Sequence, residues 1–332
     1  KYRENESIDY ITKEDKTLQG EINWISFKQK FFNTTIIAHD NFIDDGSQIK
    51  IESPENENNT DWVKKAEAEI YLSYDFNPKE SYDMSFYMGP NHYQTLRKQS
   101  LNLEKMIPLG PSIISWVNKL AVIPIFNFLS SFFNSFGVII LMLTIILKLV
   151  LSPLTFKSYV SMAKMRVLKP EIDAMKEKYG DNMQKMQQEQ MKLYKKAGAS
   201  PFGGCLPLLI QMPILFAMFR FFPSSIELRQ ETLWWCKDLS TYDSILDLGF
   251  EIPFYGDHVS LFTLLMTIST LIYTRLNNSM SGATGQMKVI SYIMPIMFLG
   301  FFNNYPAALS FYYFLANMIT FGQNALIKRF FV

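Results

Sequence analysis

Residues 136–156 read FGVIILMLTIILKLVLSPLTF, and this stretch decides the class of fold. It carries a single charge, Lys148. About 20 apolar residues in a helix that rises about 1.5 Å per residue cross the roughly 30 Å of hydrocarbon in a bilayer. The stretch therefore predicts a membrane-spanning helix. Four further stretches are long and apolar enough, or nearly so, for the same prediction: about 202–222, 258–276, 287–302 and 307–327.

The composition is that of a membrane protein that also carries a polar domain. The chain has 332 residues, of which 48% are hydrophobic, 15% aromatic and 19% charged, and this excludes a disordered or collagen-like chain. A net charge of +1, without a block of like charges, gives no electrostatic reason to expect a nucleic-acid partner. We expect no disulfide between Cys205 and Cys236, because one lies in an apolar stretch and the other in a polar loop beyond its far end.

The polar residues 1–105 predict part of an exported β-sandwich domain. Short alternating segments, such as 48–52, 68–74 and 82–88, are separated by clusters of Asn, Asp, Pro and Gly. No catalytic pattern is present in them. An exported domain needs a signal or anchor before it. Because the chain opens at Lys1 without an apolar segment, we expect a missing N-terminal anchor helix.

The charges between the apolar stretches predict the orientation of the chain. The loop 157–200 holds ten Lys or Arg against five Asp or Glu, so it is predicted to be cytoplasmic. The loop 223–257 holds two basic residues against seven acidic ones, which fits the exported side. Lys328 and Arg329 then place the C-terminus in the cytoplasm. Alternation across five spans puts residues 1–135 outside.

The segment 106–135 is predicted to be an interfacial amphipathic helix and not a span. Trp116, Lys119 and Asn127 break its apolar run, and Pro124 interrupts the helix. Such a helix buries its apolar face in the membrane surface. We therefore expect this segment to lie along the exported side of the membrane.

The cytoplasmic loop predicts a helical hairpin over 158–197. Its first half repeats apolar residues every three or four positions, at Met165, Leu168, Ile172, Met175 and Tyr179. Gly180 and Asp181 then break the helix, and a second run over 183–194 repeats the pattern more loosely. Methionine suits a surface that accepts many apolar partners. The alternative is a charged hairpin whose methionines only pack its two helices against each other.

The candidate functional site is centred on Lys148. This lysine lies about nine residues, or roughly 13 Å, inside Lys157 at the cytoplasmic end of the first span. A lysine at the centre of a span costs about 2.5–3.5 kcal/mol on insertion scales. Thr144, Lys148 and Ser152 follow one another at i,i+4 on one helix face. The alternative is a lysine that reaches the interface by snorkelling.

Polar residues on the other spans can complete a hydrophilic pocket around this charge. The second span offers Gln211, and the last span has a polar face formed by Ser310, Tyr313, Asn317, Thr320 and Asn324. Such groups must find partners or water in hydrocarbon. Because no acidic residue lies in the spans, we expect water, hydroxyl groups or a passing peptide to solvate Lys148. The threonines of the third span are better explained by bonds to their own helix backbone.

The signatures of common enzymes are missing from the sequence. There is no His-Glu-x-x-His zinc motif, no glycine-rich phosphate loop followed by Lys-Ser/Thr, and no Gly-x-Ser-x-Gly nucleophile elbow. The spans also lack the carboxylate that coupling-ion transport usually needs, and the Ser/His or paired aspartates of an intramembrane protease. We therefore expect no enzyme activity, no cofactor and no metal. A polytopic channel or small-solute transporter stays open as the alternative.

Four strings carry a resemblance to a known family. They are SMAKMRVLKPEIDAMKEKYGDN from Ser161, GGCLPLLIQMPILFAMF from Gly203, SIELRQ from Ser225 and FYYFLANMITFGQNALIKR from Phe311. Together they closely resemble the YidC family of membrane protein insertases, over about 23–332 and most strongly over 136–325. The resemblance implies a six-span protein of the bacterial inner membrane whose first anchor is absent from this chain. It also implies a truncated periplasmic β-sandwich in 1–105 and a five-helix α-helical core in 136–332.

The same resemblance implies a function and a site. Family members are insertases and chaperones whose cytoplasm-open hydrophilic groove receives nascent membrane segments and releases them sideways into the lipid bilayer, alone or with the Sec translocon and the ribosome. The groove charge falls on Lys148, where many bacterial members have arginine, so the charge is kept and the planar fork of donors is lost. Thr144, Gln211 and Tyr313 stand where the family has polar or aromatic groove residues. With Asn317, these are the predicted substrate-binding residues.

Overall fold

The structure, a computed structural model, describes most of the chain in two compact units. The described residues are 2–4, 7–11, 16–17, 22–53, 64–72, 81–180, 182–198, 206–281 and 286–331. One unit comprises Lys1–Pro108 with Ser224–Ile226, and the other comprises Leu109–Pro223 with Glu227–Val332. The first is built on a β-sheet and the second on helices. Cys205 lies outside the described residues, whereas Cys236 is a buried free thiol, so the absence of a bridge between them stays a prediction.

Seven strands and one short helix form the described part of the first unit. They are β1 (Tyr2–Glu4), β2 (Ser7–Asp9), β3 (Lys16–Thr17), β4 (Ile22–Lys28), β5 (Phe32–Glu52), β6 (Lys65–Tyr71), β7 (Met84–Pro90) and helix α1 (Tyr93–Lys98). The strands pair antiparallel in the order β2-β1-β4-β5-β3, and β6 and β7 also pair with β5. The predicted segments 68–74 and 82–88 overlap β6 and β7 with ends shifted by two or three residues, although 73–74 lie outside the described residues, and 48–52 is the last part of the much longer strand β5. These strands form one sheet, so the sandwich stays a prediction.

The long strand β5 joins the two parts of this sheet and supplies much of its core. Its first part pairs with β4 and β7, and its last residues pair with β6. Ile22, Ile25 and Phe42 are buried in one cluster between these strands. Trp24 is also fully buried and donates its indole N–H to the Leu101 carbonyl at 3.0 Å. Apolar burial of this kind is the main stabilising contribution to such a domain.

Helices in the second unit overlap all five predicted apolar stretches, although residues 202–205 lie outside the described residues and 258–259 belong to a strand. The helices are α2 (Ser112–Val117), α3 (Ile123–Ser130), α4 (Phe136–Val167), α5 (Lys169–Tyr179), α6 (Met183–Lys196), α7 (Leu206–Ser224), α8 (Leu261–Ser281), α9 (Gln286–Asn303) and α10 (Ala307–Phe331). Strands β8 (Leu246–Ile252) and β9 (Gly256–Val259) form a hairpin between α7 and α8. Helix α10 packs against both α4 and α8.

The structure supports the membrane character of this unit but does not fix the number of spans. Among the described residues, two helical stretches are long and apolar enough to cross a membrane, Ser112–Ser130 and Phe136–Val167, and Lys288–Asn303 is apolar but shorter. The count of five spans therefore stays a prediction. The interfacial placement of 106–135 stays one too, because its helix is long enough to cross.

The helical stretch Ser112–Ser130 contains a π-helical turn, Asn118–Val122, between α2 and α3. Pro124 follows this turn at the start of α3, and a proline has no N–H to continue an α-helical bonding pattern. Asn118 is fully buried and donates its amide N–H groups to the Leu109 carbonyl at 2.9 Å and the Ala217 carbonyl at 3.1 Å. The turn is thereby fixed to α7.

The predicted cytoplasmic hairpin consists of α5 and α6, and it begins later than predicted. Residues 158–167 continue α4, because nothing breaks that helix before Pro170, which stands in the first turn of α5. Asn182 caps α6 by accepting a hydrogen bond from the Lys185 N–H at 3.0 Å. A buried cluster of Tyr159, Met162, Met165 and Tyr194 packs α6 against the end of α4.

Candidate functional site

The candidate site lies where α4, α7 and α10 meet around Lys148. Helix α4 is almost wholly apolar in its first half, so Lys148 is its only charge before Lys157. The lysine side chain is half-buried, whereas the next residue, Leu149, is 62% exposed on the outside of the bundle. A charge on the inner side of an apolar helix needs polar partners from neighbouring helices.

The ammonium group of Lys148 has two such partners, one on each neighbouring helix. Its Nζ donates to Oε1 of Gln211 on α7 at 3.1 Å and to Oγ1 of Thr320 on α10 at 2.9 Å. The Thr320 hydroxyl donates to the Ala316 carbonyl of its own helix at 2.7 Å, so its oxygen is left to accept from Lys148. Gln211 in turn donates to the hydroxyl of buried Tyr312 at 3.4 Å, which is long for a hydrogen bond.

Neutral dipoles, and not a carboxylate, hold this charge. None of the ion pairs among the described residues involves Lys148. An ammonium group carries three N–H donors, and Gln211 and Thr320 take two of them. Among the described residues, no group therefore takes the third donor or neutralises the positive charge. A group that brings a negative charge, or a further acceptor, has a place to bind.

The backbone beside Lys148 is also polar. Pro153 lies inside α4 and offers no N–H to the preceding turn. Gln323 of α10 donates its Nε2 to the Lys148 carbonyl at 3.2 Å, while its own Oε1 is buried and accepts no hydrogen bond from the described residues. Most buried polar atoms are paired. The Gln323 oxygen is therefore, among the described residues, an unpaired buried acceptor on the amide group that bonds to the Lys148 backbone.

Asn317 serves a different neighbour from the one predicted for it. Its Nδ2 donates to the hydroxyls of Ser269 and Thr270 on α8, at 2.9 Å each. Both hydroxyls donate to the Met266 carbonyl of their own helix. Asn317 is buried and joins α10 to α8. It bonds to no group of Lys148, so the structure gives it a packing contact and not a contact with the charge.

Thr144 and Tyr313 also lack a direct bond to the charge. Thr144 is fully buried and donates to the Ile140 carbonyl of its own helix at 2.6 Å, so its hydroxyl proton is already used. Tyr313 is half-buried, and it is its neighbour Tyr312 that reaches Gln211. Of the five predicted residues, the structure brings Lys148 and Gln211 into direct contact, and it places Thr144 one turn away on α4 itself and Tyr313 and Asn317 on α10.

The structure also brings to this cluster residues that were not among the five predicted substrate-binding residues. Thr320 belongs to the polar face of the last span, and its spacing from Asn317 is the signal that could have selected it. Gln323 stands one turn further along α10. Tyr312 gave no signal, because it lies outside that polar face. No group of three or more metal-ligating side chains occurs in the described part of the chain.

Comparison with known families accounts for both units. The family described as 60Kd inner membrane protein matches residues 128–332, and the family described as YidC periplasmic domain matches residues 1–123. The first match alone covers more than half of the chain. The chain belongs to the YidC family.

Individual relatives agree with this assignment. The protein named membrane protein insertase YidC of Amoebophilus asiaticus is 47% identical over 96% of this chain and 53% of its own length. Its namesakes in Parabacteroides distasonis and Cytophaga hutchinsonii are 42% and 46% identical, over 97% and 98% of this chain and 53% and 54% of their own lengths. The chain thus spans about half the length of the curated relatives it matches.

A solved structure gives a weaker likeness. A crystal structure of an active YidC insertase with the first transmembrane domain resolved has a TM-score of 0.48 and 22% identity, over 98% of this chain and 66% of that chain. A TM-score this low supports no detail of the fold, so the assignment rests on the family models.

A YidC family member of the inner membrane has apolar lipid around its helices, which makes the polar cluster at Lys148 the feature that needs a function.

Proposed function

We propose that this chain is the insertase core of a bacterial inner-membrane protein that receives nascent membrane segments in a hydrophilic groove open to the cytoplasm. The relatives named membrane protein insertase support this proposal. The observation that carries it is the Lys148 ammonium, which is held among apolar helices by Gln211 and Thr320 without a counter-ion in the described residues. Placing a charge without a counter-ion among apolar helices is unfavourable, so we expect Lys148 to have a function other than packing.

The groove lowers the barrier for the polar flank of a client segment. An acidic flank pairs with Lys148 and exchanges part of its water for the polar side chains of the cluster. This shortens the hydrocarbon distance that the flank must cross, and the apolar part of the client then leaves sideways into the lipid bilayer. No covalent step, nucleotide, cofactor or metal takes part, so the activity is that of an insertase and chaperone and not of an enzyme.

The other parts of the chain have supporting roles in this proposal. The sheet of the first unit lies in the periplasm, and the C-terminus lies in the cytoplasm together with the α5–α6 hairpin, which receives clients from the ribosome. The segment 106–135 holds the core at the periplasmic surface. The protein works alone or with the Sec translocon. The exposed methionine of α6, Met191, supports the receiving role, because methionine adapts to many apolar partners, whereas the buried tyrosine and methionine cluster only joins α6 to the end of α4.

The experiment that tests the groove is site-specific photocrosslinking during translation of a client. In the full-length protein, a photoreactive phenylalanine analogue replaces Tyr313, the groove residue predicted on α10, or, as a control, Ile268, which is exposed on the outside of α8. We expect a ribosome-bound client with an acidic flank to crosslink first at position 313. Equal crosslinking at both positions from the earliest chain length would contradict a groove.

A second experiment distinguishes the contribution of the Lys148 charge from that of the surrounding pocket. Lys148→Ala should leave folding intact and reduce the insertion of clients with acidic exported flanks more than that of clients with neutral flanks, and Lys148→Arg should retain insertion. If Lys148→Ala inserts both kinds of client as well as the parent does, the lysine is a snorkelling residue and the proposal fails. Ion conductance through the reconstituted protein would favour the alternative, a channel.

A further inference from the structure

The β8–β9 hairpin exposes more apolar surface than a small loop needs. Its first strand reads LDLGFEI and alternates apolar with acidic residues or glycine. Leu246 is 58% exposed, Phe250 63% and Phe254, in the turn after the strand, 96%. Monomeric proteins rarely leave several large apolar side chains together in water. Such a surface marks a contact with a protein, a ligand or a membrane.

Hydrogen bonds hold this hairpin against the connection between α9 and α10. Asn303 is fully buried and uses its whole amide group there. Its Nδ2 donates to the carbonyls of Tyr255 at 2.9 Å and His258 at 2.8 Å, and its Oδ1 accepts from the Ser260 N–H at 3.0 Å. Asn304 donates a further bond to the Tyr255 carbonyl at 3.0 Å. The turn of the hairpin is therefore fixed to the end of α9.

A close backbone contact shows where along the axis of α9 the turn of the hairpin lies. A Cβ atom added at Gly300 would lie 2.9 Å from the Phe254 carbonyl oxygen, so only glycine lets the turn approach this closely. Gly300 lies three residues before the end of α9 at Asn303, which is about 4.5 Å along the helix axis. Phe254 therefore stands beside the last turn of the helix and not beyond its end.

The surface of α9 at this level is one that lipid covers. The helix is apolar, and Ile293, Ile296, Met297 and Phe301 are all exposed on it. In an inner-membrane protein an apolar helix with exposed apolar side chains faces hydrocarbon. The exposed ring of Phe254 continues that surface at the end of the helix.

A second aromatic residue marks the same end of the bundle as an interface. Trp234 is 69% exposed and contacts the rings of Phe262 and Phe311, which lie near the starts of α8 and α10. Tryptophan is enriched at membrane–water interfaces. The hairpin itself contains Asp247, Glu251 and Asp257 and no lysine or arginine, so attraction to anionic headgroups does not hold it there.

We propose that the β8–β9 hairpin is a membrane-contacting finger, in which Phe254, with Phe250 and Ile252 beside it, is buried in the boundary between the headgroups and the acyl chains next to α9. The partner is the lipid surface. The finger fixes the level of the α9–α10 connection relative to the membrane. The proposal depends on the membrane location of α9 and not on the insertase activity.

The test measures the depth of single labelled positions in proteoliposomes. In the full chain with Cys205 and Cys236 replaced by alanine, Phe254→Cys carries an environment-sensitive nitrobenzoxadiazole label, and Glu251→Cys, three residues away and also exposed, is the matched control. The vesicles contain phosphatidylcholine alone, or phosphatidylcholine with phosphatidylglycerol. Quenching by nitroxide-labelled lipids and by aqueous iodide is recorded for both positions.

We expect the label at 254 to show blue-shifted emission, strong quenching by a shallow nitroxide lipid and severalfold weaker quenching by iodide than the label at 251. The result should be the same in both vesicle compositions. Emission and iodide quenching at 254 that match those at 251 would overturn the proposal and leave a protein partner as the occupant of this surface. A label at 254 that is lipid-quenched only with phosphatidylglycerol would also overturn it, because burial would then depend on headgroup charge.

The parent without an introduced cysteine gives the labelling background. A Gly300→Val variant provides an independent check, because the added side chain cannot fit beneath the Phe254 carbonyl and should displace the turn. The label at 254 should then lose lipid quenching while α9 stays in the membrane. Unchanged lipid quenching in this variant would show that the contact with Gly300 does not set the depth, and the proposal would fail on that point.

Discussion

Removing a polar partner of Lys148 should destabilise the protein more than removing the charge itself. The perturbation is a double-mutant cycle of Lys148→Met and Gln211→Leu. Gln211→Leu leaves the ammonium with Thr320 as its one remaining partner among the described residues, because Gln211 accepts one of the two hydrogen bonds that it donates there. Lys148→Met removes the ammonium but keeps an unbranched side chain of similar length.

The magnitude follows from the two bonds and from the position of the charge. Hydrogen bonds to charged groups contribute about 1.5–3 kcal/mol each, so Gln211→Leu should lower the free energy of unfolding by about that amount. Lys148→Met loses two such bonds but also removes a charge that costs about 2.5–3.5 kcal/mol in a span. The net loss from Lys148→Met should therefore be about 0.5–2.5 kcal/mol, less than the loss from Gln211→Leu. In the Lys148→Met background, Gln211→Leu should cost little, which makes the coupling energy about 1.5–3 kcal/mol.

The assay is unfolding in detergent, followed by a thiol-reactive dye at Cys236. This thiol is buried in the second unit, so it reacts when the unit opens. The parent for the cycle carries Cys205→Ala to give a single reporter. The Thr320→Val variant is a further comparison, because it removes the other acceptor while keeping the size of the side chain.

Two outcomes would contradict this reasoning. If Gln211→Leu is as stable as the parent, the ammonium is solvated by water and the bond to Gln211 contributes nothing. If Lys148→Met loses as much stability as Gln211→Leu and the two losses add, the pair is a packing contact and its charge is irrelevant.

Three other predictions use contacts elsewhere in the chain. Asn303→Ala leaves the buried His258 carbonyl and Ser260 N–H without their Asn303 partner, and it leaves the Tyr255 carbonyl with Asn304 alone, so it should lower the free energy of unfolding by about 3 kcal/mol. Asn304→Ala, which removes one exposed bond, should cost about 0.5 kcal/mol or less, and denaturation of both variants compares them. Burial raises the pKa of the Cys236 thiol to about 11. Because the thiolate is the reactive form, the rate of thiol labelling of the native protein should be low at pH 7 and should rise steadily towards pH 11. The unfolded chain should not show this pH dependence, and labelling rates of both forms measure the difference. Asn317→Leu should separate α10 from α8 while leaving the Lys148 contacts in place, so crosslinking between cysteines on α8 and α10 should fall and the Lys148–Gln211 coupling should persist.

The sequence predicted the helices of the core well, because their signal is the strongest that a sequence carries. Each long apolar stretch became a helix, and the single charge in the first of them became the centre of the polar cluster. Gln211 was predicted for the same reason, as an isolated amide in an apolar run. The exported sandwich was a weaker prediction, since short strands identify a sheet but not how many sheets stack.

The partners of individual side chains on α10 could not be predicted in the same way. Residues three apart on a helix differ by about 60° around its axis, so Asn317 and Thr320 share a broad polar face and yet point to different neighbours. Asn317 meets α8 and Thr320 meets α4. Tyr312 lies about 100° from Tyr313, which is why it reaches Gln211 although the pattern favours Tyr313. The rotation of a helix against its neighbours is decided by packing of all its side chains.

The arrangement at Lys148 also bears on the choice of lysine over arginine. Its two acceptors, Gln211 and Thr320, come from different helices, and a compact ammonium with rotatable donors can meet acceptors in unrelated directions. A guanidinium presents donors in a plane and suits two acceptors of one carboxylate or phosphate. Lysine at this position therefore favours binding by neutral groups on the protein while the charge stays available. In the proposed function, a client carboxylate needs only one donor of Lys148 to pair with it, so the proposed capture depends on charge more than on geometry.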